Sequence, residues 1–281
     1  MEKIAVLGAG LMGVRIAQLA AQGGYQVILR DLQMGLVKDG FKSIENNLHK
    51  MFIQEQINKK EKIDTLNRIK CTTDLSEVHS ADLVIEAVIE NMAVKKQIFA
   101  ELDNICPSHT VLASNTSTLS ISEIASSTRR QAKILGMHFS NPLISNKLVE
   151  LVKGIDTSEE TINQAADFVT TIGKDYVVIK RESPGFIVNR LLFSYINEAI
   201  FIYGDGQASK EQIDQAMKLG GGMGQGPLEL ADKIGLDVVY NGLDVFYNEF
   251  KDSKYRPHTI FSTMIRAGYF GKKSGRGFYD Y

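Results

Sequence analysis

The sequence predicts an α/β fold: a doubly wound parallel sheet followed by an all-helical C-terminal domain. Three observations predict it. A short apolar run, Lys3–Leu7, passes through a glycine-rich segment into a stretch with helical spacing. Short apolar runs then alternate with helical segments to about residue 182, the pattern of strands joined by crossover helices. Beyond Ser183-Pro184-Gly185 the periodicity is helical.

Taken in order, Lys3–Leu7 suits a buried parallel strand because it is apolar throughout rather than alternating. Leu11–Gln22 reads as a helix stopped by Gly23-Gly24, and Tyr25–Leu29 as the next strand. Together they make a βαβ unit. Residues 35–68 read as one long, charge-rich helical stretch. Leu83–Ile85 with Ala87–Ile89 forms another strand and its exit, and Val94–Leu102 has helical spacing. Val111–Ala113 and Ile134–Met137 read as strands, with Leu148–Val152 and Tyr176–Ile179 as edge strands. The boundary falls near residue 183, giving domains 1–182 and 183–281. Helices are expected over Phe186–Tyr203, Lys210–Leu219, Pro227–Phe250 and Thr259–Ala267. No internal repeat or low-complexity tract interrupts this plan.

Composition narrows the partners. In 281 residues, 44% are hydrophobic and 23% charged, and the net charge is −1. That balance supplies no basic field for nucleic acid or an anionic membrane. No apolar run reaches the roughly 18 residues of a membrane-spanning helix. The strand-like start MEKIAVLG has neither the basic nor the apolar region of a signal peptide, so a cytoplasmic location is expected. Cys71 and Cys106 are the only cysteines and lie outside any CxxC or Cys/His cluster. Reduced thiols are expected, with no disulfide framework and no metal.

Gly8-Ala9-Gly10-Leu11-Met12-Gly13 is a GxGxxG segment placed between a strand and a helix, the setting in which it binds a dinucleotide in a Rossmann domain. Gly8 permits the tight turn, Gly10 lets the backbone approach a pyrophosphate, and Gly13 lets the helix pack on the strand. Leu11 and Met12 open the helix whose N-terminal N–H groups would hold the phosphates. Asp31 ends the second strand, 18 residues after Gly13. A carboxylate there accepts hydrogen bonds from ribose hydroxyls and repels a 2′-phosphate, favouring NAD over NADP. Arg30 beside it is a group that could serve a 2′-phosphate, and Asp31 could instead cap a turn. FAD shares the fingerprint, but nothing else in the sequence points to a flavin.

Three segments follow at or just after predicted strands: Ala113–Ser117, Gly136–Phe139 and Lys147–Glu150. Ligands bind at the carboxyl ends of strands in an open parallel sheet. His138 could take a hydroxyl proton while hydride leaves the same carbon, and Glu150 could orient the ring. Spacing alone does not pair them. The other four histidines read as surface residues.

At these residues the chain resembles the short-chain L-3-hydroxyacyl-CoA dehydrogenase family, especially bacterial 3-hydroxybutyryl-CoA dehydrogenases. The resemblance covers nearly the whole chain. It is carried by GAGLMG, LRD at 29–31, VIEAVIEN at 84–91, ASNTS at 113–117, GMHF at 136–139, KLVE at 147–150, SPGFIVNRLL at 183–192, GPLELADKIGLD at 226–237 and GKKSGRGFYDY at 271–281. It implies that His138 is the general base and Glu150 its partner, and that Ser117 and Asn189 bind the substrate oxygens. Asp31, Glu90, Lys95 and Asn115 would contact NAD. The helical domain would close over the substrate and form most of a homodimer interface. Helix capping is the alternative role for Asn189 and Arg190.

Three stretches depart from the family pattern. Ser140–Asn146 (SNPLISN) is more polar than usual before KLVE. Gly222-Met223-Gly224-Gln225 replaces Asn-His-Pro-Met before GPLEL. In His49–Gln56, His49 and Gln56 stand where relatives carry the serine and lysine that serve the CoA nucleotide, and Lys50 is the remaining cation. Met51-Phe52-Ile53 suits helix packing or a surface for a protein partner. The expectation is an NAD-dependent enzyme interconverting a short hydroxyacyl thioester and its carbonyl form. The departures admit an acyl carrier protein in place of CoA, with a polar acyl group such as glyceryl, as in polyketide extender-unit synthesis. A non-catalytic NAD-binding protein and a dehydrogenase of free hydroxy acids are the remaining alternatives.

Overall fold

A computed structural model of the chain describes residues 1–140 and 146–281. They separate into two compact units, Met1–Glu182 and Ser183–Tyr281.

The first unit holds an eight-stranded sheet. Its strands are β1 (Lys3–Leu7), β2 (Gln26–Arg30), β3 (Ile69–Thr72), β4 (Leu83–Glu86), β5 (Val111–Ser114), β6 (Ile134–Phe139), β7 (Leu148–Lys153) and β8 (Asp175–Ile179). Their order across the sheet is β3-β2-β1-β4-β5-β6-β7-β8. All neighbours are parallel except β6 and β7, which run antiparallel. The helices that pack here are α1 (Leu11–Gln22), α2 (Met34–Ile53), α3 (Lys59–Asn67), α4 (Met92–Ile105), α5 (Ile121–Ala125) and α6 (Glu159–Thr171). Ile4, Val6, Leu29, Leu83, Ile85, Val111 and Ala113 from the strands meet Ile16, Ala17, Ala20, Val37 and Ile44 from the helices in one apolar core. Each of the buried Val, Leu and Ile side chains contributes about 1.5–3 kcal/mol.

Several expectations change here. Residues 35–68 are not one helical stretch. Helix α2 ends at Ile53, Glu55 adopts a left-handed φ of 57°, and α3 restarts after Asn58. Asn58 and Glu61 form a reciprocal capping box, which satisfies two orphan donors at the new N-terminus. The short strand β3 follows directly and pairs with β2. Strand β7 is interior, hydrogen-bonded to both β6 and β8, so only β8 is the edge on that side.

The second unit is helical: α7 (Val188–Gly204), α8 (Lys210–Leu219), α9 (Pro227–Ile234), α10 (Leu236–Phe250) and α11 (Thr259–Arg266). The expected helix 227–250 is broken at Gly235, whose φ of 111° is open to glycine and closed to side-chain residues. Phe193, Ile196, Ile200, Leu228, Val239, Leu243, Phe246 and Phe261 form its core. His258 also differs from the surface reading. Its ring lies edge-on to Phe201 at 4.9 Å, pairs with Asp205 at 3.3 Å, and accepts the Ile260 amide at the start of α11.

Candidate active site

The glycine loop is shaped by contacts that exclude larger residues. Gly8 has φ of 103°, and a Cβ there would lie 2.5 Å from the Ala87 carbonyl oxygen. A Cβ on Gly13 would sit 1.8 Å from the Gly8 carbonyl oxygen, so helix α1 can approach strand β1 only with glycine at this position. Gly10, the N-cap of α1, has open space where its Cβ would be. The backbone at Gly10 can therefore be approached closely, and the free N–H groups of the first turn are the donors a pyrophosphate would take. Leu11 is exposed, whereas Met12 is partly buried against the core.

Asp31 binds back onto this loop. Its Oδ2 accepts the Ala9 amide at 2.6 Å and its Oδ1 accepts the Leu32 amide at 2.6 Å. The carboxylate thus stands beside the glycine loop while fixing the turn, so the turn and the ribose contact are compatible roles. Arg30 points elsewhere: its Nε donates to the Thr73 carbonyl at 3.2 Å. These residues fit an NAD dinucleotide without a 2′-phosphate.

The exit of β4 and the loop after β5 share one polar network. Lys95 of α4 is 1% exposed and its Nζ lies 2.7 Å from Glu86 and 3.3 Å from Glu90. Glu90 Oε1 accepts the Thr116 hydroxyl at 2.5 Å, the Ser117 amide at 3.1 Å and the Thr118 hydroxyl at 3.2 Å. Burial pushes the Glu90 carboxyl up. The Lys95 ammonium, the Thr116 hydroxyl and the Ser117 amide outweigh it and hold the group below the ordinary carboxylate value. Lys95, expected at the cofactor, is paired with two carboxylates inside this network. Glu86 was missed by sequence reasoning. The signal for it was a carboxylate closing an otherwise apolar strand, Leu83–Glu86.

Asn115 joins two strand ends. Its backbone amide donates to the Glu86 carbonyl at 2.8 Å, and its side-chain Oδ1 accepts the Phe139 amide at 2.9 Å. Phe139 follows His138 in β6. His138 and Glu150 are register partners of the antiparallel β6–β7 pair, and such partners carry their side chains on one face. His138 Nδ1 lies 2.7 Å from Glu150 Oε2, with the histidine 6% exposed and the glutamate fully buried. A carboxylate can only accept, so Nδ1 carries the proton of this bond.

Asn189 belongs to the helical unit, in the first turn of α7. The cap residue there is Ile187, which makes no side-chain cap bond. Arg190 is absorbed by packing instead: its Nε donates to the Tyr255 hydroxyl at 2.9 Å, and its guanidinium lies 4.3 Å from the Phe250 ring centroid.

The departing stretches are partly visible. Residues 141–145 of the first lie outside the described residues. Gly222 is left-handed, with φ of 66°, and both it and Gly224 face open space. In the third, Met51 packs on the core while Phe52 and Ile53 are exposed. Lys50 lines a cleft of about 490 Å³ with Arg15, Gln18 and Asn47, continuous with Gly10 and Leu11. No group of three or more His, Cys, Asp or Glu side chains is placed to hold a metal among the described residues. Nor is any helix among them long and apolar enough to cross a membrane.

Residues 3–183 match the 3-hydroxyacyl-CoA dehydrogenase NAD-binding domain, and residues 185–281 match the 3-hydroxyacyl-CoA dehydrogenase C-terminal domain. The chain is 45% identical to the 3-hydroxybutyryl-CoA dehydrogenase of Clostridioides difficile, over 99% of each chain. It is 42% identical to the mitochondrial hydroxyacyl-coenzyme A dehydrogenase of Sus scrofa, over 100% of this chain and 91% of that protein. The crystal structure of (S)-3-hydroxybutyryl-CoA dehydrogenase from Ralstonia eutropha superposes with a TM-score of 0.97 at 40% identity, covering 100% of this chain and 99% of that one. The chain belongs to the 3-hydroxyacyl-CoA dehydrogenase family.

Proposed function

We propose that this chain is an NAD-dependent dehydrogenase that interconverts a short 3-hydroxyacyl-CoA and its 3-oxoacyl form. The observation that carries the reading is the buried His138–Glu150 pair at the end of β6, in a unit whose glycine loop and Asp31 fit NAD.

NAD bound at the loop supplies a hydride acceptor, or a donor in reverse. The remaining chemistry belongs to the chain. Glu150 holds His138 by Nδ1, so the proton of the substrate hydroxyl is taken at Nε2. The buried carboxylate stabilises the ring once it is protonated, and the same Nε2 returns the proton when a carbonyl is reduced. Ser117, held through its amide by Glu90, would donate to the oxygen on the reacting carbon. Asn189 is the second substrate-binding residue that the family resemblance implies. Asp31 would accept from the ribose hydroxyls, Glu90 and Asn115 would border the nicotinamide end, and Lys95 would fix Glu90.

CoA is the carrier this reading selects. The relatives named above are CoA dehydrogenases, and nothing observed favours an acyl carrier protein or a glyceryl group. The cation count in 49–56 argued against CoA, but Arg15 from α1 shares the cleft with Lys50, and Asp39 also lines it, so an anionic group there would meet two cations and one carboxylate. A cytoplasmic setting fits two cysteines that form no disulfide and whose thiols burial pushes up, Cys106 to about 11. A homodimer through the helical unit fits the exposed Ile187, Leu191 and Val238.

The test is NADH oxidation with acetoacetyl groups presented on CoA and on a carrier protein. Efficient turnover on CoA is expected. Turnover confined to the carrier protein would transfer the reading to that substrate, and turnover of neither would remove it.

A further inference from the structure

We infer that Glu86 is a positioning residue that sets the Thr116–Thr118 loop, and through it the Ser117 hydroxyl, by two converging routes. The inference rests on the proposed role of Ser117 at the substrate.

Glu86 is fully buried at the end of β4 and makes no direct bond to residues 116–118. The first route runs from its Oε2, which accepts the Ser114 hydroxyl at 2.6 Å; the Ser114 oxygen in turn accepts the Thr116 amide at 3.3 Å. The second runs from its Oε1, which accepts Lys95 Nζ at 2.7 Å. Lys95 holds Glu90 Oε2 at 3.3 Å, and Glu90 Oε1 gathers the Thr116 hydroxyl, the Ser117 amide and the Thr118 hydroxyl. The Val88 amide, donating to Glu86 Oε1 at 2.7 Å, anchors the carboxylate to the backbone between these groups.

The charges explain why the arrangement depends on Glu86. An ammonium as buried as Lys95 needs a close counter-ion. Glu86 is the nearer of its two carboxylates. With the Glu86 carboxylate on the lysine, Glu90 turns one oxygen to the lysine and the other to the loop. In Glu86→Gln the charge is gone, Lys95 must draw on Glu90 for its counter-ion, and that carboxylate is pulled from the three donors at 116–118. The side chain then keeps a single acceptor oxygen, so the Ser114 hydroxyl on one side and the Lys95 ammonium and Val88 amide on the other compete for it, and the two routes weaken together. A plain core ion pair would stabilise the unit as a whole. A positioning residue acts on one loop and on one step.

The experiment uses the full-length chain and the variants Glu86→Gln, Ser117→Ala and the double. Hydrogen exchange by mass spectrometry follows residues 114–119, with α6 as the control. Steady-state reduction of acetoacetyl-CoA by NADH gives kcat. Glu86→Gln is expected to speed exchange in 114–119 by about tenfold or more while α6 keeps its wild-type rate. It is expected to lower kcat by about tenfold, and the double should match Ser117→Ala within about twofold, because coupled residues are not additive. Unchanged exchange at 114–119, or losses that multiply in the double, would overturn the inference. If Glu86→Gln loosens the whole unit, Ser114→Ala cuts one route and leaves the ion pair. The same local pattern at smaller size is expected, and uniform loosening or multiplying losses would overturn it. If the wild type reduces no acetoacetyl-CoA, the functional reading fails, and the exchange comparison alone decides the role of Glu86.

Discussion

His138 and Glu150 face each other as register partners on antiparallel strands, with Nδ1 2.7 Å from Oε2 and both side chains nearly or fully buried. The carboxylate fixes which ring nitrogen carries the proton. In Glu150→Gln the amide can present either an N–H or an oxygen to Nδ1, and the negative charge is gone. We expect kcat to fall by about a hundredfold or more while the NADH dissociation constant changes little. Stopped-flow NADH titration beside steady-state kinetics checks this; an equal loss of cofactor affinity would place Glu150 in a structural role.

Asp31 accepts two backbone amides and Arg30 is engaged with the Thr73 carbonyl. Asp31→Ser removes the charge that disfavours a 2′-phosphate while keeping a short polar side chain. The NAD-to-NADP preference in kcat/KM is expected to shift toward NADP by about tenfold or more. Assay of both cofactors at one thioester concentration measures it. A loss shared equally by both cofactors would mean that Asp31 serves the turn alone.

At Gly13 a Cβ would fall 1.8 Å from the Gly8 carbonyl oxygen, which is backbone and cannot swing aside. Gly13→Ala must therefore push α1 away from β1. A stability loss of about 2 kcal/mol or more is expected, together with weaker NAD binding. Chemical denaturation and cofactor titration of the same sample test both effects.

Asp103 is nearly buried and its carboxylate accepts Arg129 and Arg130 at 3.1 and 2.6 Å. Burial pushes its carboxyl up, but the two arginines overcome this and hold it below the ordinary value. A depressed folded value means stability that is present above the unfolded pKa of about 3.9 and lost as the pH falls through the folded one. Asp103→Asn is expected to cost about 3 kcal/mol at neutral pH. The gap to wild type should narrow below about pH 4, as urea melts at both pH values would show.

The parts of the fold legible in the sequence were those that local chemistry dictates. The strand–glycine–helix passage of residues 3–22 is set by buried apolar side chains and by steric demands at Gly8 and Gly13. The breaks were harder to see, because both interrupt continuous helical periodicity. Glu55 enters left-handed space without being glycine, and only the Asn58–Glu61 spacing signalled a restart. Gly235 was the visible cue at the second break. The interior place of β7 depends on pairing with β8, a contact more than twenty residues away that strand composition does not encode. At the site, His138 and Glu150 could be nominated by residue type and paired by the family resemblance, and the β6–β7 register supplies the physical reason for that pairing. Glu86 escaped notice because it is buried at the end of an apolar strand and acts through Lys95 and Ser114 rather than on a ligand.

The central claim is that His138 moves the substrate proton in an NAD-dependent reaction. The most direct measurement is single-turnover oxidation of bound NADH by acetoacetyl-CoA in wild type and His138→Ala. The account predicts that the variant binds NADH as wild type does and transfers hydride about a thousandfold more slowly. Hydride transfer at the wild-type rate in His138→Ala would contradict it.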